Sequence, residues 1–97
     1  MCECRYNVDM DLYFFKKCGN ENIEEMITRC SLFIRMIEHS SAMRITQYEN
    51  FYVYFNACKG YILHIGEGMS VEDVIRLFAN YVRKREALNL HEGDNDN

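Results

Sequence analysis

The chain has 97 residues, 48% hydrophobic and 27% charged, with a formal net charge of −4. That length suits one domain, and the apolar fraction excludes a wholly disordered chain. No apolar run approaches the roughly 18 residues of a membrane-spanning helix, and residues 1–5 hold no apolar core of a secretory signal, so neither is expected.

Tyr6, Val8, Met10, Leu12 and Phe14 alternate with Asn7, Asp9, Asp11 and Tyr13. This period of two predicts a strand over 6–14 with one buried and one wet face. Tyr13 then points outward, and Asp9 and Asp11 share the solvated face. Two carboxylates about 7 Å apart on one strand face suit a divalent ion only if further ligands join them. Gly19 and Asn20 suit a turn after the strand.

Asn22 and Glu25 have capping-box spacing, and Glu21, Glu24 and Glu25 favour the positive end of a helix dipole. Ile23, Met26, Ile27, Cys30, Phe33, Ile34 and Ile37 recur at intervals of three and four, which predicts an amphipathic helix ending near 38–41. Strands are predicted at 43–48, 51–58 and 61–65, separated by Glu49-Asn50 and Lys59-Gly60. Phe51, Val53 and Phe55 face the core, and Tyr52 and Tyr54 face away from it. His64 lies opposite Tyr61, Leu63 and Ile65.

Ser70 caps a second helix with Asp73 at its third position, and Val71, Val74, Ile75, Phe78 and Val82 form the buried stripe. Arg83, Lys84 and Arg85 sit toward its negative end. The composition turns polar after Leu88, and 91–97, with Glu92, Asp94 and Asp96, is expected to be a disordered acidic tail on a domain of residues 1–90. No internal repeat is evident. The element order β-α-β-β-β-α predicts an α+β two-layer sandwich: a mostly antiparallel four-stranded sheet with both helices on one face.

Five cysteines stand at 2, 4, 18, 30 and 58. An odd count without a leader argues against a disulfide framework and for a reducing, cytoplasmic setting. Cys30 falls in the helix stripe and reads as a core residue, which leaves Cys2, Cys4 and Cys18 as candidate zinc thiolates. They lack the paired spacing of zinc knuckles, so no metal and no cofactor are expected. Cys58 and His64 form a nucleophile–base pair on paper, but no third group orients them. His39 sits near a helix C-terminus and His91 in the tail. Gly66-x-Gly68 lacks the lysine and further glycines of phosphate-binding loops. The chain is therefore expected not to be an enzyme, with a metal-binding or thiol-dependent enzyme as the more distant alternative.

Residues 22–88, read as helix, three strands and helix with Gly66-x-Gly68-x-Ser70 at the last junction, resemble a double-stranded-RNA-binding domain. The resemblance implies phosphate contacts at the start of the second helix, where that family has lysines. Val71, Glu72 and Asp73 occupy those positions here. A nucleic-acid reading therefore turns to Lys59, Arg76, Arg83, Lys84 and Arg85.

The leading expectation is a small protein-interaction module, a regulator, inhibitor or antitoxin of the kind found among viral and phage accessory proteins. Tyr13, Tyr52 and Tyr54 would bury against a partner protein or a second copy in a homodimer, since tyrosine joins apolar area to a hydrogen-bonding tip. No membrane partner is expected.

Overall fold

The computed structural model describes residues 2–40, 51–65 and 68–95, with backbone only for residues 40 and 89–95. Along it run β1 (Glu3–Asn7), β2 (Leu12–Lys16), α1 (Ile23–Ser40), β3 (Tyr52–Asn56), β4 (Gly60–His64) and α2 (Val71–Asn95). The strands make one antiparallel sheet in the order β1-β2-β4-β3. Tyr13, Phe15, Tyr61 and Leu63 of the two central strands share one core with Met26, Cys30 and Ile34 of α1 and Val74, Phe78 and Val82 of α2. Both helices thus cover one sheet face, and the chain forms the expected α+β sandwich.

The order of elements differs from expectation. Residues 6–14 are not one strand but the end of β1, a turn and the start of β2. Asn7 Oδ1 accepts the Met10 N–H at 2.8 Å, and Asp11 adopts a left-handed conformation with φ 56°. Asp tolerates that region because its short polar side chain bonds locally. Val8 and Met10 are exposed at the turn. The turn over residues 8–11 reverses the facing of β2: Tyr6 and Tyr13 become cross-strand partners, with their side chains on the same face. Tyr13 is therefore fully buried beneath α1, its hydroxyl donating to Glu38, and does not point outward. The strand expected at 43–48 and the glycine at 66 lie outside the described residues.

The helices begin where their caps require. Asn22 Oδ1 accepts the Glu25 N–H at 2.8 Å while Glu25 Oε1 accepts the Asn22 N–H at 2.9 Å, a reciprocal capping box. Ser70 Oγ accepts the Asp73 N–H at 3.1 Å. The backbone of α2 runs to Asn95, beyond His91 where composition predicts fraying. No proline interrupts it, and each added residue extends a nucleated helix by one hydrogen bond.

The structure also contains a repeat. Aligning Tyr13 with Tyr61 along the chain lays Glu24 on Glu72, Ile27 on Ile75, Arg35 on Arg83 and Glu38 on Glu86. The contacts repeat with the residues. Tyr13 donates to Glu38, and Tyr61 donates to Glu86 at 2.5 Å. Glu24 accepts both donors of Arg83, and Glu72 both of Arg35. The Tyr13 and Phe33 rings meet edge-on at 6.2 Å, as Tyr61 and Tyr81 do at 6.1 Å. The fold is two ββα units about an approximate two-fold axis through the Phe14–Ile62 pairing of β2 with β4. The reciprocal ion pairs, each joining the first turn of one helix to a later turn of the other, set the helices antiparallel. The expectation of no internal repeat is thus corrected: Tyr13, Glu24, Arg35 and Glu38 recur as Tyr61, Glu72, Arg83 and Glu86 and make the same contacts.

Candidate functional site

The sheet face away from the helices carries Leu12, Phe14, Ile62 and His64 on its central strands and Tyr52 and Tyr54 on β3. It is not an open aromatic plane. Leu12, Phe14 and Ile62 form a small buried cluster, and the Arg5 guanidinium lies 4.3 Å from the centre of the Phe14 ring. His64 is fully buried, its Nδ1 donating to the Asp11 carbonyl oxygen at 2.9 Å, and Tyr6 donates to Asp11 Oδ1 at 2.6 Å. Asp11 is therefore a buried anchor of the first hairpin and not half of a solvated carboxylate pair; only Asp9 is exposed. Cys58 occupies the β3–β4 turn and His64 the far end of β4, so the paper nucleophile–base pair is not assembled.

An aromatic ledge on β3 is accessible on this face. The Tyr52 and Tyr54 rings stack at 5.9 Å and are 36% and 46% exposed, and Tyr52 also stacks on His64 at 5.3 Å. β3 is an edge strand among the described residues.

A second locus lies where β1 meets α1. Cys2 and Cys18 form a disulfide, against the sequence expectation. Their spacing carries no signal, because the two meet only once the β1–β2 hairpin closes. The bond removes both sulfurs as zinc thiolates, and no group of three or more His, Cys, Asp or Glu is placed to hold a metal ion among the described residues. Beside the disulfide, Arg29 is the organising side chain. It donates to both oxygens of Glu21 at 2.7 and 2.9 Å, to the Lys16 carbonyl at 2.8 Å and to Cys4 Sγ at 2.9 Å. Cys4 and Arg29, with Leu32, Phe33 and Met36 of α1, line a largely apolar groove of about 540 Å³. Sequence reading missed this groove because it places Leu32 and Met36 off the helix's core stripe.

Hydrogen bonds from Arg29, with a further one from the Cys18 N–H, hold the Glu21 carboxyl down to about 2 from its ordinary 4.5. A depressed carboxyl stabilises the fold above its unfolded pKa, and the contribution disappears as pH falls toward the folded value. Glu21→Gln is thus expected to lose about 1–3 kcal/mol near neutrality, the worth of hydrogen bonds to a charged group. The gap between variant and parent should close between pH 4.5 and about 2 in denaturant melts. A gap that stays constant over that range would refute the assignment.

The basic residues of the nucleic-acid reading do not act together. Arg76 pairs with Asp73 at 3.1 Å and Arg83 with Glu24 at 2.7 Å, while Arg85 stacks on Phe55 at 3.6 Å. Lys59 and Lys84 are exposed. Glu72, where the double-stranded-RNA-binding family has lysine, is bound to Arg35. Lys16 and Lys17, which the nucleic-acid reading does not include, border a cavity of about 320 Å³ with Phe55, Gly60, Tyr61 and Glu86. No described helix is long and apolar enough to cross a membrane. Comparison with protein-family models, curated proteins and solved structures finds no match to the chain.

Proposed function

We propose that the chain is a small non-enzymatic interaction module, a regulator or inhibitor of the kind viruses and phages use, that binds another protein through the Tyr52–Tyr54 ledge. The observation that supports this reading is the pair of stacked, half-exposed tyrosines on β3, an edge strand among the described residues. Stacking restricts both rings before binding, so little side-chain entropy is lost on contact. Tyr13 has no part in it, being buried beneath α1. Two such ledges meeting across a two-fold axis would give the homodimer expected from sequence. The Cys2–Cys18 bond favours an oxidising setting over the cytoplasmic one expected from the sequence, since disulfides persist chiefly in oxidising compartments.

The test is the double variant Tyr52→Ser, Tyr54→Ser. Light scattering of the parent reports self-association, and co-purification from host extract reports a partner. Loss of either by about tenfold or more in affinity, the effect of truncating an interface anchor, with helix content and melting unchanged, supports the reading. Full association by the folded variant overturns it. RNA or DNA binding that falls steeply with salt and survives the tyrosine changes would move the function to the basic side chains.

A further inference from the structure

The end of the sheet where the β3–β4 hairpin meets α2 holds a cavity that neither the tyrosine ledge nor the Arg29 corner uses. Phe55 and Tyr61 give it an apolar wall, their rings meeting edge-on at 4.9 Å. Lys16 and Lys17, at the end of β2 and just past it, border it together with Glu86 of α2. The Glu86 carboxylate is already engaged. Its Oε2 accepts the Tyr61 hydroxyl at 2.5 Å, and Nη1 of Arg85, whose guanidinium stacks on Phe55, lies 3.8 Å from the same oxygen. Arg85 thus offsets the charge of Glu86. Among the described residues neither lysine is ion-paired, and Lys17 Nζ donates to the Cys18 carbonyl at 3.3 Å. Two positive charges therefore stand in excess beside an apolar wall. The repeat shows that the scaffold does not require them. At the symmetry-related positions His64, Ile65 and Ile37 stand where Lys16, Lys17 and Arg85 would fall, yet Tyr13 and Glu38 make the same hydrogen bond as Tyr61 and Glu86.

We propose that this cavity binds a small phosphate monoester with a compact apolar body, its phosphate held by Lys16 and Lys17 and its body against the Phe55 and Tyr61 rings. A phosphate monoester carries close to two negative charges near neutral pH, which matches the two in excess on the protein. The lysine ammonium is a compact charge with three donors and suits phosphate oxygens. The volume of about 320 Å³ lies at the small end of ligand pockets, which run from about 300 to 1,000 Å³. A compact ester therefore suits it better than a dinucleotide. Glu86 adds selectivity, because a second anionic group on the body would meet its carboxylate. The site is separate from the tyrosine ledge: Phe55 and Tyr61 belong to the helix-covered face of the sheet, and Tyr52 and Tyr54 to the other.

The experiment titrates the full chain with phenyl phosphate, by calorimetry and by mapping amide resonances, with inorganic phosphate and phenol in parallel. Phenyl phosphate is expected to bind about tenfold more tightly than inorganic phosphate, because burying the ring adds to the charge attraction. Phenol should not bind, and the resonance shifts should centre on Lys16, Lys17, Gly60 and Tyr61. Lys16→Gln and Lys17→Gln should each weaken binding about tenfold, the effect of losing a hydrogen bond to a charged group. Lys16 packs its methylenes toward Gly60, so Lys17→Gln, at an exposed residue, is the deciding variant. Lys84→Gln removes the same charge from an exposed position outside the cavity and should leave the affinity unchanged. Glu86→Gln keeps an acceptor for the Tyr61 hydroxyl, removes the opposing charge and should tighten binding severalfold. Equal affinities for phenyl phosphate and inorganic phosphate would overturn the proposal, as would equal weakening by Lys84→Gln and Lys17→Gln. Resonance shifts centred elsewhere, or no binding at millimolar ligand, would overturn it too.

Discussion

Replacing Phe78 with alanine is expected to remove about 3–5 kcal/mol of stability, the usual loss for truncating a buried aromatic. The ring has no solvent exposure and meets Phe15 of β2 at 5.2 Å and Tyr61 of β4 at 6.2 Å. It therefore bridges the one strand pairing that joins the two ββα units. The resulting void borders side chains of both units. A domain this size has about 5–15 kcal/mol to lose, and at about 4–8 °C per kcal/mol the variant should melt roughly 12–40 °C below the parent. Leu88→Ala, at a half-exposed position on the same helix, should change the urea midpoint little. Equal losses at the two positions would show that Phe78 does not hold the units together.

Gly60→Ala should be nearly as damaging, for a backbone reason. Gly60 has φ +85°, and an added Cβ would stand 2.3 Å from the Phe15 carbonyl oxygen and 2.8 Å from Lys16 Cγ. The lysine methylene can swing aside. The carbonyl belongs to the central strand β2 and cannot. The left-handed conformation alone disfavours an L residue by about 1–2 kcal/mol, and moving the strand raises the total to about 3 kcal/mol. Gly68 separates the two effects: its φ is +81° and nothing lies within 4 Å of its Cβ position. Gly68→Ala should lose only the conformational part, about 1–2 kcal/mol. Chemical denaturation of the two variants in parallel tests this, and equal midpoints would refute the clash.

Features set by neighbours in sequence were legible in advance. The Asn22–Glu25 box, the Ser70 cap and both apolar stripes are matters of three- and four-residue spacing, and the helices begin where those spacings indicate. The inward and outward faces of β3 and β4 were readable from alternation. The first hairpin escaped because alternation runs on through its turn without a glycine, so Val8 and Met10 passed as core positions. The available clue was Asn7 with Asp9 and Asp11, turn formers placed close together. Missing it reversed the face of Tyr13 and hid the burial of Asp11. The Cys2–Cys18 bond, the Arg29 corner and the groove join residues brought together only by the hairpin and by α1 docking. No local pattern encodes such meetings.

The two-fold repeat has a consequence for how the halves can diverge. A pair of separate subunits obeying such symmetry must carry every mutation twice, so any specialised feature on one appears on the other. Joining the copies in a single polypeptide lifts that restriction. The shared scaffold, with its tyrosine–glutamate tethers and crossed arginine–glutamate pairs, is kept in both. The sulfur-rich corner belongs to the first copy and the phenol ledge to the second. One molecule thus presents two unlike surfaces built on one repeated plan.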